Sequence, residues 1–490
     1  MYDVTGRGKP GPGVAETHVS VVFFTSDRAY KLLKPITTGF LDHAPRAARL
    51  RAAERELELN RRLAPDVYLG LADVEEHGQV VDRMIVMRRL PADRRLSSLV
   101  GAPDFDDQLR RVARVVATFH AGEPPAADPT PGTRHVVLRN WEDNFDEMGP
   151  FVGRVLDGTD FSTVVDDVRA YLGPREALFD GRIADGLVRD GHGDLLAEDI
   201  FCLDDGPRIL DCLAFRDDLR VADVLADVAF LAMDLDRLAG PAASARFMDW
   251  YREFSNEHHP ASLAHHYVAY RAHVRAKVAC LRFGQGRIEA AEEARSYHDL
   301  VLTHLARARV RLVLVGGSPG TGKSTVARSL GEELGWAVLS SDERRKDLAG
   351  LGHDQHAFAE PGEGIYTPEW SARTYTELLH DAELLLAKGE SVVIDASWSD
   401  PEQRADAADL ADKWSARLCE LECVLDPEIA KDRIAHRLQV DDDASDARPQ
   451  LVDDLRGRRA PWPTATSVDT DTSREAVLAA ACAAVTARAV

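Results

Sequence analysis

Short apolar runs separated by turn residues open the chain. HVSVVFF (18–24) and AYKLL (29–33) flank the turn-like TSDR and predict two paired strands. A helical pattern from about Pro45 to Leu63 follows, then strands around Tyr68–Glu75 and Val80–Arg88. Beyond Pro91 the spacing is mostly helical, interrupted by a loop and strand region from Gly191 to Phe215 and ending in a long helical stretch from about Pro260 to Ala308. The pattern then changes. RLVLVGG is a short apolar run closing on glycines, and strands near 311–315, 337–340, 391–395, 418–425 and 466–469 alternate with helices. Such alternation predicts a parallel sheet covered by helices. The expected division is a small β-rich lobe over 1–90, a helical lobe over 91–308 and an α/β domain over 309–490, with no flexible linker between the halves, which are therefore expected to pack together.

Composition narrows the class. Apolar residues at 45% and charged residues at 29% are those of a globular chain. Against 82 Asp and Glu stand 60 Lys and Arg, a net charge of -22 that repels nucleic-acid backbones and anionic lipid. No run of about 18 apolar residues predicts a membrane span. The six cysteines form no CxxC pair and read as buried thiols, and a cytoplasmic protein is expected. The paired histidines His258-His259 and His265-His266 lack a completing Cys or carboxylate set and read as packing or surface residues.

The most specific motif is Gly317-Ser318-Pro319-Gly320-Thr321-Gly322-Lys323-Ser324, continued by Thr325, between a predicted strand and a predicted helix. Its glycines let backbone N–H groups converge on phosphate oxygens, with the helix adding its positive end. Lys323 would reach the β- and γ-phosphates and Ser324 would ligate Mg²⁺. Asp342, after the second strand, is a candidate base for an acceptor hydroxyl, with helix N-cap as the alternative, and Arg344 and Arg345 follow it. Asp395 ends SVVID as a candidate magnesium-site carboxylate. Arg433 and Arg437, one turn apart, are candidate lid cations or a solvated face. Trp398, three residues past Asp395, is a candidate acceptor-pocket wall or a packing residue.

With GGSPGTGKST, SSDERRKDL, IYTPEW, VVIDASW, ASDA (444–447) and APWP, residues 310–470 resemble the P-loop kinases related to gluconate kinase, zeta toxin and polynucleotide 5′-kinases. The resemblance implies that Asp342 is the acceptor-side base, Arg404 an acceptor or phosphate contact, and Arg433 and Arg437 lid arginines. It leaves the acceptor open.

A second constellation lies in the first half: GHGDLLAEDIF (191–201) and ILDCLAF (209–215). One loop carboxylate near an acceptor and two around a metal are what phosphoryl transfer needs, and Asp194, Asp199 and Asp211 supply them. The segment resembles the aminoglycoside phosphotransferase branch of the protein-kinase-like fold. By that resemblance Asp194 is the catalytic base, Asp211 a magnesium ligand, and Asp223 and Asp227 a structural acidic motif. Asp199 stands where the family has Asn. Lys31 is the candidate phosphate-binding strand lysine and Glu56 its helix partner, with Lys34 and Glu54 as alternatives. No G-x-G-x-x-G precedes Lys31, so the covering loop falls to residues 16–20 or to the TSDR turn, and Met84–Leu90 would be the hinge.

Taken together with ETHVS, GFLDH, ELELNRRLAPDVYLG and DVLADVAFLAMDLD, these motifs resemble a bacterial two-domain family, mycobacterial dormancy-associated proteins among it, that fuses the two kinase types. The resemblance implies an N-terminal protein-kinase-like bilobal α+β fold and a C-terminal α/β P-loop NTPase with a parallel sheet. It further implies ATP and Mg²⁺ as cofactors and a small polar acceptor such as an aminosugar, sugar or nucleoside. A nucleotide-controlled regulator with only the P-loop module active is the alternative, and the charge disfavours an end-processing polynucleotide kinase.

Overall fold

The computed structural model describes residues 13–17, 19–37, 42–352, 363–440, 449, 452, 457 and 459–487. They form two compact units. The first takes the chain up to Gly158 together with Phe179–His259 and Ala264–His304; the second takes Thr159–Leu178, Pro260–Leu263 and the chain from Leu305 onward. The boundary expected at 309 leaves Thr159–Leu178 in the helical lobe, yet these residues group with the second unit. Their contacts explain it: Arg175 donates to the Trp414 carbonyl and Asp167 accepts from Arg309.

The first unit has the protein-kinase-like bilobal architecture. Its small lobe is an antiparallel sheet of β1 (Gly13–Glu16), β2 (Ser20–Phe24), β3 (Arg28–Leu33), β4 (Tyr68–Glu76) and β5 (Gln79–Arg88), in the order β1-β2-β3-β5-β4. Ala29, Leu33, Ile85 and Met87 pack with Ala53 of the helix Arg46–Asn60. That helix turns a mixed face inward: Arg49, Ala53, Glu56 and Asn60, four and three residues apart, are all buried. Arg49 is held by Asp82 at 2.7 Å. A face so polar makes a weak hydrophobic anchor, and its ion pairs and hydrogen bonds fix the helix rotation instead.

The large lobe is helical around two short hairpin-like pairs, β6 (Val188–Asp190) with β9 (Val221–Asp223) and β7 (Ile200–Leu203) with β8 (Gly206–Ile209). The stretch read as one long helical run is two helices, Ala261–Gly284 and Ala290–Ala308, broken where Gly286 takes φ 94°. The strands β1, β6 and β9 were not expected; three or four residues are too few to display a period.

The second unit is an α/β P-loop fold. Its sheet is β11 (Ala337–Ser340), β12 (Val392–Asp395), β10 (Arg311–Gly317), β13 (Arg417–Val424) and β14 (Thr466–Asp469), in that spatial order and parallel throughout. Every residue of the central β10 is buried, as a strand covered on both faces requires. Val313, Val315, Leu330, Val393 and Leu421 share one core. Among the described residues no helix is long and apolar enough to cross a membrane.

A buried polar cluster ties helices of the large lobe. Arg182 donates two 2.6 Å bonds to Asp223 and pairs with Glu257, which His259 meets at 2.7 Å. Burial opposes ionisation of Glu257, but the His259 hydrogen bond and the Arg182 charge bring its pKa down to about 2. A depressed carboxyl contributes stability that is present above its ordinary pKa of 4.5 and lost as pH falls toward 2. Glu257→Gln should therefore cost the first unit roughly 3 kcal/mol at pH 7. The difference from wild type should shrink between pH 4.5 and 2, as read by denaturant unfolding across that range.

Candidate active sites

In the first unit β3 and the helix Arg46–Asn60 aim their charged residues at one point. Lys31 Nζ lies 2.7 Å from Glu56 Oε1 and 2.6 Å from Asp211 Oδ1. The two alternatives are engaged elsewhere, Lys34 with Glu16 at 2.5 Å and Glu54 with Arg83 at 2.6 Å. Burial by itself would lower the Lys31 pKa, but Asp211 and Glu56 together raise it well above its ordinary value. The Lys31 charge conversely holds Asp211 low, whereas burial leaves Glu56 raised. Asp211 follows β8 with φ 64°, a conformation rare outside glycine. Its N–H donates to the Tyr68 hydroxyl at 3.3 Å, and the next N–H, of Cys212, donates to Asn60 Oδ1 at 2.9 Å.

The loop 191–199 connects β6 to β7. Its start is clamped by Asp227, whose carboxylate accepts 2.7 Å bonds from the N–H groups of both His192 and Gly193 and a 3.1 Å bond from His120. Those bonds keep Asp227 ionised well below the usual range in spite of its burial. Asp223 caps the helix Val224–Ala239 through the Leu225 N–H. Asp194 sits further along the loop. Burial, with help from the Asp211 charge and against Arg275, raises it to about 6. Asp199 is raised well above the ordinary value by burial and by the charges of Asp211, Glu198 and Asp194.

Three aspartates whose charges reach one another suit a divalent cation, which would relieve the repulsion that adds to burial in raising two of them. Asp211 and Asp199 are the side chains that would hold Mg²⁺, and Lys31 the one that would meet phosphate. Glu198, Arg275, Asn60 and Tyr68 were missed from the sequence; they belong to no recognisable spacing, and only the fold brings them to the site. Of the covering loop, Thr17 Oγ1 accepts from the N–H groups of Val19 and Ser20, and His18 lies outside the described residues.

In the second unit the glycine-rich turn leaves β10 and enters the helix Lys323–Leu334. Gly317, Gly320 and Gly322 have φ of 142°, 79° and 86°, which L side chains resist. Lys323 Nζ donates to the Ser318 carbonyl at 3.2 Å, as does Thr321 Oγ1 at 2.8 Å, so the loop is curled around its own lysine. Asp395 ends β12, beside Val315 and Ser340 in register. Burial raises its carboxyl to about 6, against the Lys323 charge and a Ser324 hydrogen bond. Ser324 and Asp395 are therefore adjacent, as a shared Mg²⁺ would need, and the curled turn Gly317–Ser324 with Thr325 behind it suits a triphosphate.

Asp342 lies in the first turn of the helix Ser341–Ala349, but the cap is Ser340, whose hydroxyl accepts from the Glu343 N–H. The Asp342 charge is felt at Asp395 and Tyr375. Arg433 donates to the Thr470 carbonyl at 2.9 Å and approaches Gly322. The side chain of Arg437 and the ASDA segment lie outside the described residues.

The acceptor-side candidates fare differently. Of the two readings of Trp398, the surroundings favour packing: it has no exposed surface, its Nε1 donates to the Ile394 carbonyl, and Tyr375 meets it edge-on at 5.2 Å. Arg404 is buried too, donating to the Pro461 carbonyl at 3.1 Å and lying over the Trp462 ring. Arg344 is paired with Asp381. Arg345 donates to the Ile365 carbonyl at 2.9 Å and stacks over Tyr366. Arg459, which the sequence did not single out, stacks on the same Trp462 and reaches Glu422 at 3.3 Å. Of the paired histidines, His266 accepts from the Trp141 indole, His265 meets His304 at 3.0 Å and His259 meets Glu257 at 2.7 Å.

A β-carbon on Gly320 would stand 2.6 Å from the Ala430 carbonyl oxygen, whereas one on Gly335 (φ 67°) meets nothing. Both substitutions to Ala incur the left-handed penalty of roughly 1–2 kcal/mol. Gly320→Ala should destabilise the second unit by at least about 1 kcal/mol more than Gly335→Ala, since only there must backbone move. Denaturant unfolding of the two variants measures the difference.

A family model described as an AAA domain matches residues 312–462. The uncharacterized protein Rv2004c of Mycobacterium tuberculosis is 40% identical over 474 residues, 95% of this chain and 94% of its own. Among solved structures, the GDP and kanamycin complex of APH(2″)-IIia is similar at 13% identity over 60% of this chain and 93% of its own, TM-score 0.40. A gluconokinase from Sinorhizobium meliloti 1021 is similar at 17% identity over 36% of this chain and 91% of its own, TM-score 0.25. The fold assignment rests on the topology and the loop geometry described above.

Proposed function

Since the chain belongs to the family of the mycobacterial protein Rv2004c along nearly its whole length, we propose that it is a cytoplasmic phosphotransferase with two modules. Each would use ATP and Mg²⁺ to phosphorylate a hydroxyl of a small polar acceptor, with an aminosugar, sugar or nucleoside as the class. The observation that carries the reading is the closed contact of Lys31 with Glu56 and Asp211, because it joins strand, helix and opposite lobe into one phosphate-facing cation site. Six cysteines without a disulfide suit a reducing compartment.

In the first module Asp194 would accept the proton of the acceptor hydroxyl as its oxygen bonds to the γ-phosphorus and the bond to the bridging oxygen breaks, releasing ADP. Asp227 would hold the loop, Lys31 would orient the phosphates, and Asp211 with Asp199 would hold the metal. In the second, the backbone of Gly317–Ser324 and Lys323 would seat the phosphates, Ser324 and Asp395 would hold the metal, and Asp342 would take the proton. Arg433 and Arg437 would neutralise charge on the transferring group, with Arg344 and Arg345 on the acceptor side. Bound Mg²⁺ supplies charge neutralisation on the phosphates; the side chains supply position and the proton's destination.

The alternative, a regulator whose first module binds nucleotide without transferring phosphate, is favoured by one observation, the carboxylate of Asp199 where the resembled family has an amide. Separate Asp194→Ala and Lys323→Ala variants decide. Two working modules predict that each substitution removes one acceptor-dependent ATP consumption by about 10²–10⁴-fold and leaves the other. A silent first module predicts that Asp194→Ala changes nothing. Full turnover in both variants with a verified acceptor would overturn the enzyme reading.

A further inference from the structure

The second unit contains a cavity of about 430 Å³ at the end of its sheet opposite the phosphate loop. Arg309 and Val310, just before β10, and Ser415, Ala416 and Arg417, at the start of β13, line it together with Tyr171 and Arg175. The seven residues of β10 separate it from Gly317 by about 20 Å at the usual strand rise. It is therefore a different place from the triphosphate site.

Its charge is unusual for a chain of net charge -22. Arg175 has no exposed surface. It donates to the carbonyls of Ala170, Tyr171 and Trp414, lies 4.7 Å over the Tyr171 ring, and leaves its Nε–H without an acceptor. Arg417 donates to the Ala487 carbonyl. Among the described residues neither meets a carboxylate, and the one carboxylate in the lining, Asp167, is already bound to Arg309. Three guanidiniums against one carboxylate leave the cavity positive. The same excess reaches Arg311, whose pKa is lowered first by burial and then by the charges of Arg417 and Arg309. A buried cation without a counter-charge is costly to hold and is retained where something else answers it. Guanidiniums match phosphate oxygens in geometry, and the apolar part of the lining, Leu305 and Val310 among it, suits a small organic body.

We propose that this cavity binds a small phosphate-bearing metabolite at a site distinct from the phosphate loop of the same unit. Hydrogen exchange on the full chain, with pyrophosphate as the probe and EDTA present, tests it. Slowed exchange over 305–310 and 414–418, persisting in Lys323→Ala and reduced at least about tenfold in Arg417→Gln or Arg309→Gln, is the expected result. Arg417→Gln should keep the wild-type unfolding midpoint, since its side chain reaches solvent and meets no carboxylate among the described residues, whereas Arg309→Gln also releases Asp167. Protection confined to 317–324, its disappearance from 305–310 and 414–418 in Lys323→Ala, its persistence unchanged in both arginine variants, or no protection at all would overturn the proposal.

Discussion

Lys31 is a buried cation met from two sides, by Glu56 on a helix of its own lobe and by Asp211 on a loop of the other. Removing either carboxylate leaves a largely buried lysine charge that the remaining contact answers only in part. The surrounding structure exists to keep both in reach. Asn60 and Tyr68 tie the Asp211 loop to the small lobe, Arg49 and Asp82 set the rotation of the helix that carries Glu56, and Asp227 clamps the neighbouring loop by its backbone. The small lobe has little apolar surface on that helix, so polar contacts do the orienting that packing does elsewhere.

On the proposed reading the second unit would meet the same problem, a dense anionic ligand, by other means. There main-chain N–H groups and a helix end, which need no counter-ion and cannot titrate, would add to the Lys323 charge. Glycine is the requirement: the turn takes left-handed conformations and passes against the Ala430 carbonyl with no room for a side chain. Asp395 at its edge is raised chiefly by burial, while in the first unit burial and the Asp211 charge raise Asp194 and Asp199, and Lys31 holds Asp211 low. Side-chain charge concentrated in one cleft and backbone dipoles concentrated in one loop are two answers to holding phosphate.

Much of this was legible along the chain because its signals are local. Strand and helix periods, the glycine spacing before Lys323 and the His192–Asp194 loop depend on neighbouring residues alone. What was not legible depends on burial. Trp398 and Arg404 have the residue types of an acceptor pocket, and only packing shows that a tryptophan three residues after Asp395 is buried. The strand Val188–Asp190 pairs with one more than thirty residues later, and three residues carry no period to announce it.

By itself the sequence determined the two fold classes, the order of their elements and the phosphate loop, because each follows from hydrophobic period and backbone freedom over a few residues. Only the tertiary structure decided that Lys31 rather than Lys34 faces Asp211, that Ser340 rather than Asp342 caps its helix, and that three arginines far apart in sequence surround one cavity. Those choices rest on which charges share one volume, and chain distance does not encode that.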